Sequence, residues 1–279
     1  MVVLVLGAGG QLGQSLQFIA NDYPEIQFHF FSRLDLDITN ELGLKSIFNS
    51  LRPNFCVNAS AYTAVDKSES EQDQAYLINV EGVKNIAQIC QDFDTTLIHV
   101  STDFVFDGSK NSPYTEDDAT NPQGVYGKTK REGELEIIRI LKKHFIIRTS
   151  WLYSQFNTNF MKTMLRLAQD RDTISVVNDQ IGTPTHAVDL AKVIIKVILS
   201  SSTNYGIYHF SNEGKASWYD FAKKIFEVNK VKINLKPIST SEFPTPAKRP
   251  KYSVLDKSKI KKEFNILIDQ WEDSLKNIN

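Results

Sequence analysis

A phenol and an ammonium stand four residues apart in Tyr126-Gly127-Lys128-Thr129-Lys130. On a helix, positions i and i+4 share a face, so both side chains can act on one bound molecule. A free phenol ionises near pH ~10, and a neighbouring cation favours the phenolate, drawing the group toward general acid–base use. The spacing alone is not diagnostic, because Tyr219 and Lys223 repeat it. What precedes the first copy separates the two. Leu97-Ile98-His99-Val100 reads as a buried strand running into Ser101-Thr102-Asp103-Phe104-Val105-Phe106-Asp107-Gly108. Hydroxyls at the C-terminal end of a parallel strand lie where open α/β sheets bind ligands, although Ser101 and Thr102 also suit local turn hydrogen bonds. The Tyr219 copy lacks such a strand and reads as a surface helix turn.

A second cluster lies at the N-terminus. Gly7-Ala8-Gly9-Gly10-Gln11-Leu12-Gly13 follows an apolar run and opens a helical pattern, with Gly7, Gly10 and Gly13 three apart. Glycine there permits a tight turn and lets a pyrophosphate approach a helix N-terminus, whose free amides and dipole favour anions. Between a strand and a helix this is a dinucleotide loop, and Gly7, Gly10, Gln11, Leu12 and Gly13 are its candidate contacts. The acidic residue expected about ~20 positions on is replaced by Ser32-Arg33, with Asp35, Asp37 and Ile38 following. Serine and arginine suit a 2′-phosphate that an acid would repel, so the expected cofactor is NADPH, with NADH tolerated. Arg33 as a solvated loop charge is the competing reading. Ser32, Arg33, Asp37 and Ile38 are the candidates for the adenosine end.

These residues need a sheet to place them. Val2–Leu6, Ile26–Phe31, Phe55–Asn58, Thr96–Val100 and Phe145–Ile147 read as buried strands. They alternate with amphipathic segments near Gln11–Ala20, Asn40–Leu51, Asp73–Phe93 and Tyr126–Lys143. Such alternation predicts an α/β, doubly wound parallel sheet of Rossmann type. After Trp151 helical patterns near Phe160–Gln169, Ala187–Leu199 and Trp218–Val228 mix with strand candidates at Ile174–Val177 and Gly206–Phe210. The expected division is a cofactor-binding domain over 1–150 and a smaller substrate-binding lobe over 151–279, with late elements returning to the main sheet.

Composition narrows the class. The 279 residues are 41% hydrophobic and 23% charged, which excludes disorder. With 32 basic and 33 acidic side chains, nothing favours nucleic acid or an anionic membrane as the main partner. Cys56 and Cys90 sit in apolar settings and read as buried thiols. Neither they nor the five histidines show metal-ligand spacing, and no metal is expected. The first residues lack the basic region of a signal peptide, and no apolar run approaches the ~20 residues of a membrane helix. A soluble cytoplasmic protein is expected.

Glycine loop, strand-end hydroxyls and Tyr126/Lys130 occur in the order used by the short-chain dehydrogenase/reductase superfamily, and further segments narrow the resemblance. Asn58-Ala59-Ser60-Ala61-Tyr62-Thr63-Ala64-Val65-Asp66-Lys67-Ser68-Glu69, the Ser101–Gly108 stretch, Arg148-Thr149-Ser150-Trp151-Leu152-Tyr153, Asp179–Thr185, Gly206–Asn212, Arg249-Pro250 and Trp271 resemble the dTDP-4-dehydrorhamnose reductase family over nearly the whole chain. The resemblance implies reduction of the C4 ketone of a dTDP-linked 4-keto-6-deoxy sugar to dTDP-L-rhamnose. It implies Tyr126 as proton donor, Lys130 holding the nicotinamide ribose and lowering the Tyr126 pKa, Thr102 bonding the carbonyl, and Asp103 orienting the site. Ala59, Ala61 and Tyr62 would line the cofactor, with Asn79 steadying that loop or capping a helix. Thr63, Val65, Phe104, Trp151, Asn159 and Arg249 would meet the substrate, with core packing an equal reading for Trp151. Phe104 stands where many relatives carry tyrosine, removing one hydroxyl contact. Some relatives bind Mg²⁺ at a dimer interface through acids that Gln11–Leu16 lacks, so monomer and homodimer both stand. A related epimerase or dehydratase, or a non-catalytic NAD(P)-binding regulatory subunit, are the competing functions.

Overall fold

A computed structural model describes residues 1–278. The chain order begins β1 (Val2–Leu6), α1 (Gln11–Ile19), β2 (Gln27–Phe31), α2 (Glu41–Leu51), β3 (Phe55–Asn58), α3 (Val65–Ser68) and α4 (Gln72–Tyr76). It continues through a π-helical turn at Leu77–Glu81, α5 (Gly82–Asp92), β4 (Thr96–Thr102), α6 (Val125–Ile140) and β5 (His144–Thr149). The second half contains β6 (Leu152–Tyr153), α7 (Phe160–Asp170), β7 (Thr173–Val177), β8 (Ile181–Gly182), β9 (Thr185–His186) and α8 (Ala187–Leu199). Then come β10 (Gly206–His209), β11 (Ala216–Ser217), α9 (Trp218–Val228), β12 (Asn234–Ile238), α10 (Ser258–Phe264) and α11 (Trp271–Lys276).

Six strands form one sheet in the order β10-β5-β4-β3-β1-β2, and each neighbouring pair is parallel. The doubly wound expectation therefore holds. The short period of β1 explains both layers: Val3 and Val5 point into a core shared with α1 and α8, Leu4 and Leu6 into one shared with α2 and α5. A third core, built on Tyr153, Phe221, Ile225 and Trp271, sits under α7 and α9. β10 joins the main sheet from far along the chain, beside β5, and α8 packs on α1. The expected helix over Asp73–Phe93 is broken into α4, the π turn and α5. Asn79 lies inside that turn, so it caps no helix.

One interaction across this frame is costly and exact in geometry. Glu134 of α6 and Arg148 of β5 are both fully buried and meet through two hydrogen bonds of 2.8 and 2.9 Å, while Arg131 adds a third contact of 2.8 Å. Burial pushes the Glu134 carboxyl up, but the Arg148 hydrogen bonds and charge outweigh it and hold the group below its usual range. Removing one partner leaves the other charged and desolvated, so Glu134→Ala is expected to cost about 3–5 kcal/mol in a urea melt. Because the folded pKa is depressed, this contribution is present above the unfolded value of about 4.5 and is lost as pH falls through the folded value. Glu134→Gln should therefore flatten the acid limb of the stability profile; an unchanged limb would show that the pair does not govern it.

Candidate active site

Chain order reverses between β1 and β3, which lie side by side with β2 and β4 outside them. In such sheets ligands bind beyond the carboxyl ends of the strands at this crevice. A cleft of about 200 Å³ opens there, lined by Gly7, Gly9, Gly10, Arg33, Leu36, Asp37, Ile38, Ala59, Ser60, Ala61 and Ile78. The glycine loop can reach it only without side chains at key points. Gly7 has φ +83°, and a Cβ there would lie 2.7 Å from the Ala59 carbonyl carbon and the Ser60 nitrogen. A Cβ on Gly13 would meet Ala8 Cα at 2.5 Å, so Gly13 sets how closely α1 packs on the loop, and Leu12 is buried in the core beneath it. Gly10 precedes α1 in extended conformation, leaving first-turn amides of Gln11 and Leu12 directed out of the helix toward the cleft.

At the rim, Arg33 is largely exposed and touches Asp37 through Nε at 3.4 Å. Such an exposed pair is weak, which leaves most of the guanidinium available to an anion. The Ser32 hydroxyl instead donates to Asp35 at 2.6 Å, so of the two side chains Arg33 is the one with donors to spare. Asp37 accepts from the Thr39 amide and hydroxyl at 2.9 and 2.8 Å, while Ile38 is buried at the cleft wall. Asn79 does not line the cleft. Its amide accepts from the Tyr62 N–H at 2.9 Å and donates to the Tyr62 carbonyl and Thr129 at 3.2 and 3.1 Å, which steadies the Ala61–Tyr62 loop against α6.

One strand over, β4 ends at Thr102 and places its hydroxyl beside Tyr126 at the head of α6. Thr102 Oγ1 donates to Asp103 Oδ1 at 3.1 Å and accepts from the Phe104 N–H at 3.2 Å, so Asp103 orients it. Burial pushes the Asp103 carboxyl up to about 6, with hydroxyls of Ser253 and Thr102 offsetting part of the rise. Phe104 meets the Tyr126 ring edge-on, centroids 5.7 Å apart. Lys130 is buried and donates to the Val100 carbonyl at 2.8 Å, with His99 Nε2 at 3.2 Å. Burial lowers its pKa to about 8, the nearby Glu134 opposing. The expectation that Lys130 draws Tyr126 toward neutrality is overturned in this arrangement. Burial first, and then the Asp103 charge, push the phenol up to about 12 against the Thr102 hydrogen bond.

The residues expected to meet substrate divide in the same way. Thr63 is exposed on the loop entering α3, and Val65, half-buried, is the first residue of that helix. Trp151 adopts φ +45° and stacks on Trp218 at 3.6 Å, while a Cβ on Gly182 would reach its ring at 2.5 Å; packing on Trp218 and Gly182 fixes it as a half-buried wall. Asn159 is engaged within the protein: it caps α7 through the Lys162 N–H at 3.1 Å, and its amide donates to Gln11 Oε1 and the Ser154 carbonyl at 3.0 and 2.7 Å. The Gln11 side chain is engaged there too, also receiving the Ser154 hydroxyl at 2.9 Å. Arg249 forms a bidentate pair with Asp66 at 2.8 and 2.9 Å, and that guanidinium holds the Asp66 carboxyl below its usual range despite burial. Tyr219 and Lys223 lie on α9, remote from β4 in sequence; Tyr219 packs against the third core and Lys223 is exposed.

A family model described as RmlD substrate binding domain matches residues 1–279. The dTDP-4-dehydrorhamnose reductase of Aggregatibacter actinomycetemcomitans is 45% identical over 286 residues, covering 99% of this chain and 97% of its own. The chain belongs to the dTDP-4-dehydrorhamnose reductase family. That makes it one of a family of NAD(P)-dependent oxidoreductases. A solved structure of a family member from Clostridium acetobutylicum superposes with TM-score 0.95 at 43% identity, covering 100% of this chain and 98% of that one. Another from Bacillus anthracis, described as in complex with NADP, does so with TM-score 0.95 at 41% identity over 99% and 98%. Among the described residues no helix is long and apolar enough to cross a membrane.

Several residues at the site were not among the candidates read from the sequence. Gly9, Leu36, Ser60 and Ile78 complete the cleft, His99 meets Lys130, and Glu69 caps the helix that bears the family's Tyr–Lys pair. Its Oε1 accepts from the Val125 N–H at 2.9 Å across a separation of 56 residues, where a carboxylate also favours the helix dipole. Glu69 falls inside the Asn58–Glu69 stretch, which was the one available hint. Losing a cap costs about 1 kcal/mol. Glu69→Ala is expected to lower the melting temperature by roughly 2 °C and to reduce turnover through a looser Tyr126, with Glu69→Gln close to wild type. Equal behaviour of the two variants in calorimetry would rule out the cap.

Proposed function

We propose that this protein reduces the C4 ketone of dTDP-4-dehydro-β-L-rhamnose to dTDP-L-rhamnose with NADPH. The family assignment supports the reductase reading, and one observation carries its mechanism: Tyr126 is hydrogen-bonded to Thr102 at the end of β4, and Lys130, one turn further along α6, reaches the Val100 carbonyl of the same strand. The bound nicotinamide supplies a hydride to C4. Tyr126 gives its phenolic proton to the carbonyl oxygen, so the carbonyl becomes a hydroxyl and the cofactor leaves oxidised. A phenol held near about 12 is protonated throughout the working range, which is the state a reduction requires. On binding, Thr102 turns its hydroxyl proton from Asp103 to the same oxygen and offsets charge as it develops. Lys130 holds the nicotinamide ribose.

In this reading residues 1–150 supply the cofactor unit and 151–279 the substrate lobe, with β10 and α8 packed back on the first unit. Gly7, Gly10, Gln11, Leu12 and Gly13 serve the pyrophosphate, Gln11 through its backbone because its side chain is engaged. Ala59, Ala61 and Tyr62 line the nicotinamide side. Thr63, Val65, Phe104, Trp151 and Arg249 face the dTDP-linked 4-keto-6-deoxy sugar, Arg249 exchanging part of its Asp66 pairing for the diphosphate. The protein acts as a monomer or homodimer, in the cytoplasm.

Following NADPH oxidation across dTDP- and UDP-linked 4-keto sugars tests the activity; absence of net oxidation with every sugar would sink it. Tyr126→Phe should bind NADPH normally and lose at least about 100-fold in kcat, the scale of a lost general acid. A near-native rate would remove Tyr126 from its role. Arg33→Ala should raise KM for NADPH about tenfold while leaving NADH little changed, since one charged hydrogen-bonded contact is worth about 1.5 kcal/mol or more. An unchanged ratio would mean that Arg33 is only a solvated charge.

A further inference from the structure

The glycine loop is held from a side that the reaction above does not involve. The peptide joining Gly9 to Gly10 is pinned at both edges. Its N–H donates to the Gly7 carbonyl at 3.0 Å, closing the turn that lines the cleft. Its carbonyl accepts twice, from Asn157 Nδ2 at 2.7 Å and from Gln14 Nε2 at 2.9 Å. Gln14 Nε2 also donates to Asn157 Oδ1 at 3.0 Å, so the three groups close a triangle. A carbonyl oxygen has two lone pairs, and both are taken. Gln14 belongs to the first turn of α1, but Asn157 comes from the second half of the chain, in the loop 154–159 between β6 and α7. The Asn157 backbone is left-handed at φ +52°, a conformation that asparagine adopts more readily than most residues. Backbone and side chain therefore both call for asparagine there. The loop that carries it is anchored on α1, because Ser154 and Asn159 donate to Gln11 Oε1. Phe156 adds an edge-on contact to Phe18, centroids 5.9 Å apart.

We propose that Asn157, acting with Gln14, is a positioning residue for the dinucleotide pyrophosphate, holding the Gly9–Gly10 peptide so that its carbonyl stays out of the cleft. This deepens the reading above and rests on it for where the pyrophosphate sits. A peptide between two glycines turns over at little steric cost, since neither neighbour has a Cβ to restrain it. Turned over, the Gly9 oxygen would face Gly7 and the cleft, opposing both the Gly7 carbonyl and an arriving phosphate. The amides of Gln11 and Leu12, open at the first turn of α1, would then share the site with a dipole of the wrong sign. The Gly7 contact alone gives the peptide one hold. The triangle on its other edge gives two more and leaves the carbonyl no lone pair to offer elsewhere. Asn157 is exposed, so its contact has the modest worth of an ordinary hydrogen bond. Gly9 and Asn157 are 148 residues apart, so the second half of the chain, and not the cofactor unit alone, shapes the anion site.

The test is fluorescence titration of the full chain with NADPH and NADH, beside Asn157→Gly, which keeps the left-handed backbone and removes only the amide. The dissociation constants of both cofactors should rise by the same factor, about fivefold, the scale of one neutral hydrogen bond. Adenosine 2′-phosphate has no pyrophosphate, and in calorimetry it should bind Asn157→Gly as tightly as wild type. In turnover the loss should fall on KM for NADPH and not on kcat. Asn157→Asp keeps an acceptor for Gln14 but sets its other oxygen against the Gly9 carbonyl, so it should weaken both cofactors more than Asn157→Gly does. Unchanged NADPH affinity in Asn157→Gly overturns the proposal. Equal weakening of NADPH and adenosine 2′-phosphate also overturns it, because that pattern marks a general loosening of the fold. So does an Asn157→Asp protein that binds NADPH as wild type does. The titrations need no sugar, so failure of the reductase reading would appear separately, as no NADPH oxidation with any sugar.

Discussion

The seat of α6 is the constraint on which the rest of the structure depends. Tyr126 and Lys130 can face one molecule only if this helix neither rolls nor slides, and four unlike contacts fix it. Glu69 caps its first turn, and Asn79 ties Thr129 to the loop after β3. A Cβ at Gly127 or at Gly133 would collide with the carbonyls of Phe104 and Asn79 respectively, so the helix lies directly on backbone at two points. The Glu134–Arg148 pair then locks its middle to β5. A buried ion pair is a poor source of net stability, but its directional bonds are intolerant of rotation. On this helix rotation would carry Lys130 away from β4.

That rigidity explains why so many polar groups are buried along one line. Asn58, His99, Lys130 and Glu134 all lie below a few per cent exposure, in positions where an apolar residue would pack at less cost. Local rules are broken where function requires it and satisfied around it. Here Asn58, His99 and Lys130 are linked in turn and Glu134 pairs with Arg148, so each buried group has a partner. A raised Tyr126 and a lowered Lys130 follow from the same dry surroundings, because burial always disfavours the charged form whichever sign it carries.

The main sheet was legible because its strands are apolar, β-branched and long enough to show a pattern. Each observed strand lies within two residues of the one read from sequence at β1, β2, β3, β4 and β5. The second half was less so, for a physical reason. β6, β8, β9 and β11 are two-residue pairings, too short to carry any period, and β12 contains Pro237, which reads against a strand although it pairs with β7 at a sheet edge. The cleft residues on the glycine loop and after β2 were legible because backbone geometry demands particular residues there. Glu69 and His99 were not, since a cap supplied from 56 residues away has no local pattern and a histidine inside an apolar strand looks like core.

Polar side chains of the second half show why residue type names a capacity and not a use. Asn159 and Gln11 have the groups to read a nucleotide, yet each is engaged by the other and by Ser154, joining α7 to the start of α1. The dinucleotide loop is thereby braced against the lobe that is proposed to hold the sugar. Arg249 presents a second case. Its fork suits a diphosphate as well as a carboxylate, and Asp66 already occupies it. Because Asp66 follows Val65 at the head of α3, this pair spans from the C-terminal stretch to the loop proposed to face the sugar. An anion arriving at Arg249 would compete with Asp66 for the same guanidinium edge. Under the proposed reading, binding the diphosphate therefore loosens one hold on that loop while supplying another, so the two walls of the opening respond together.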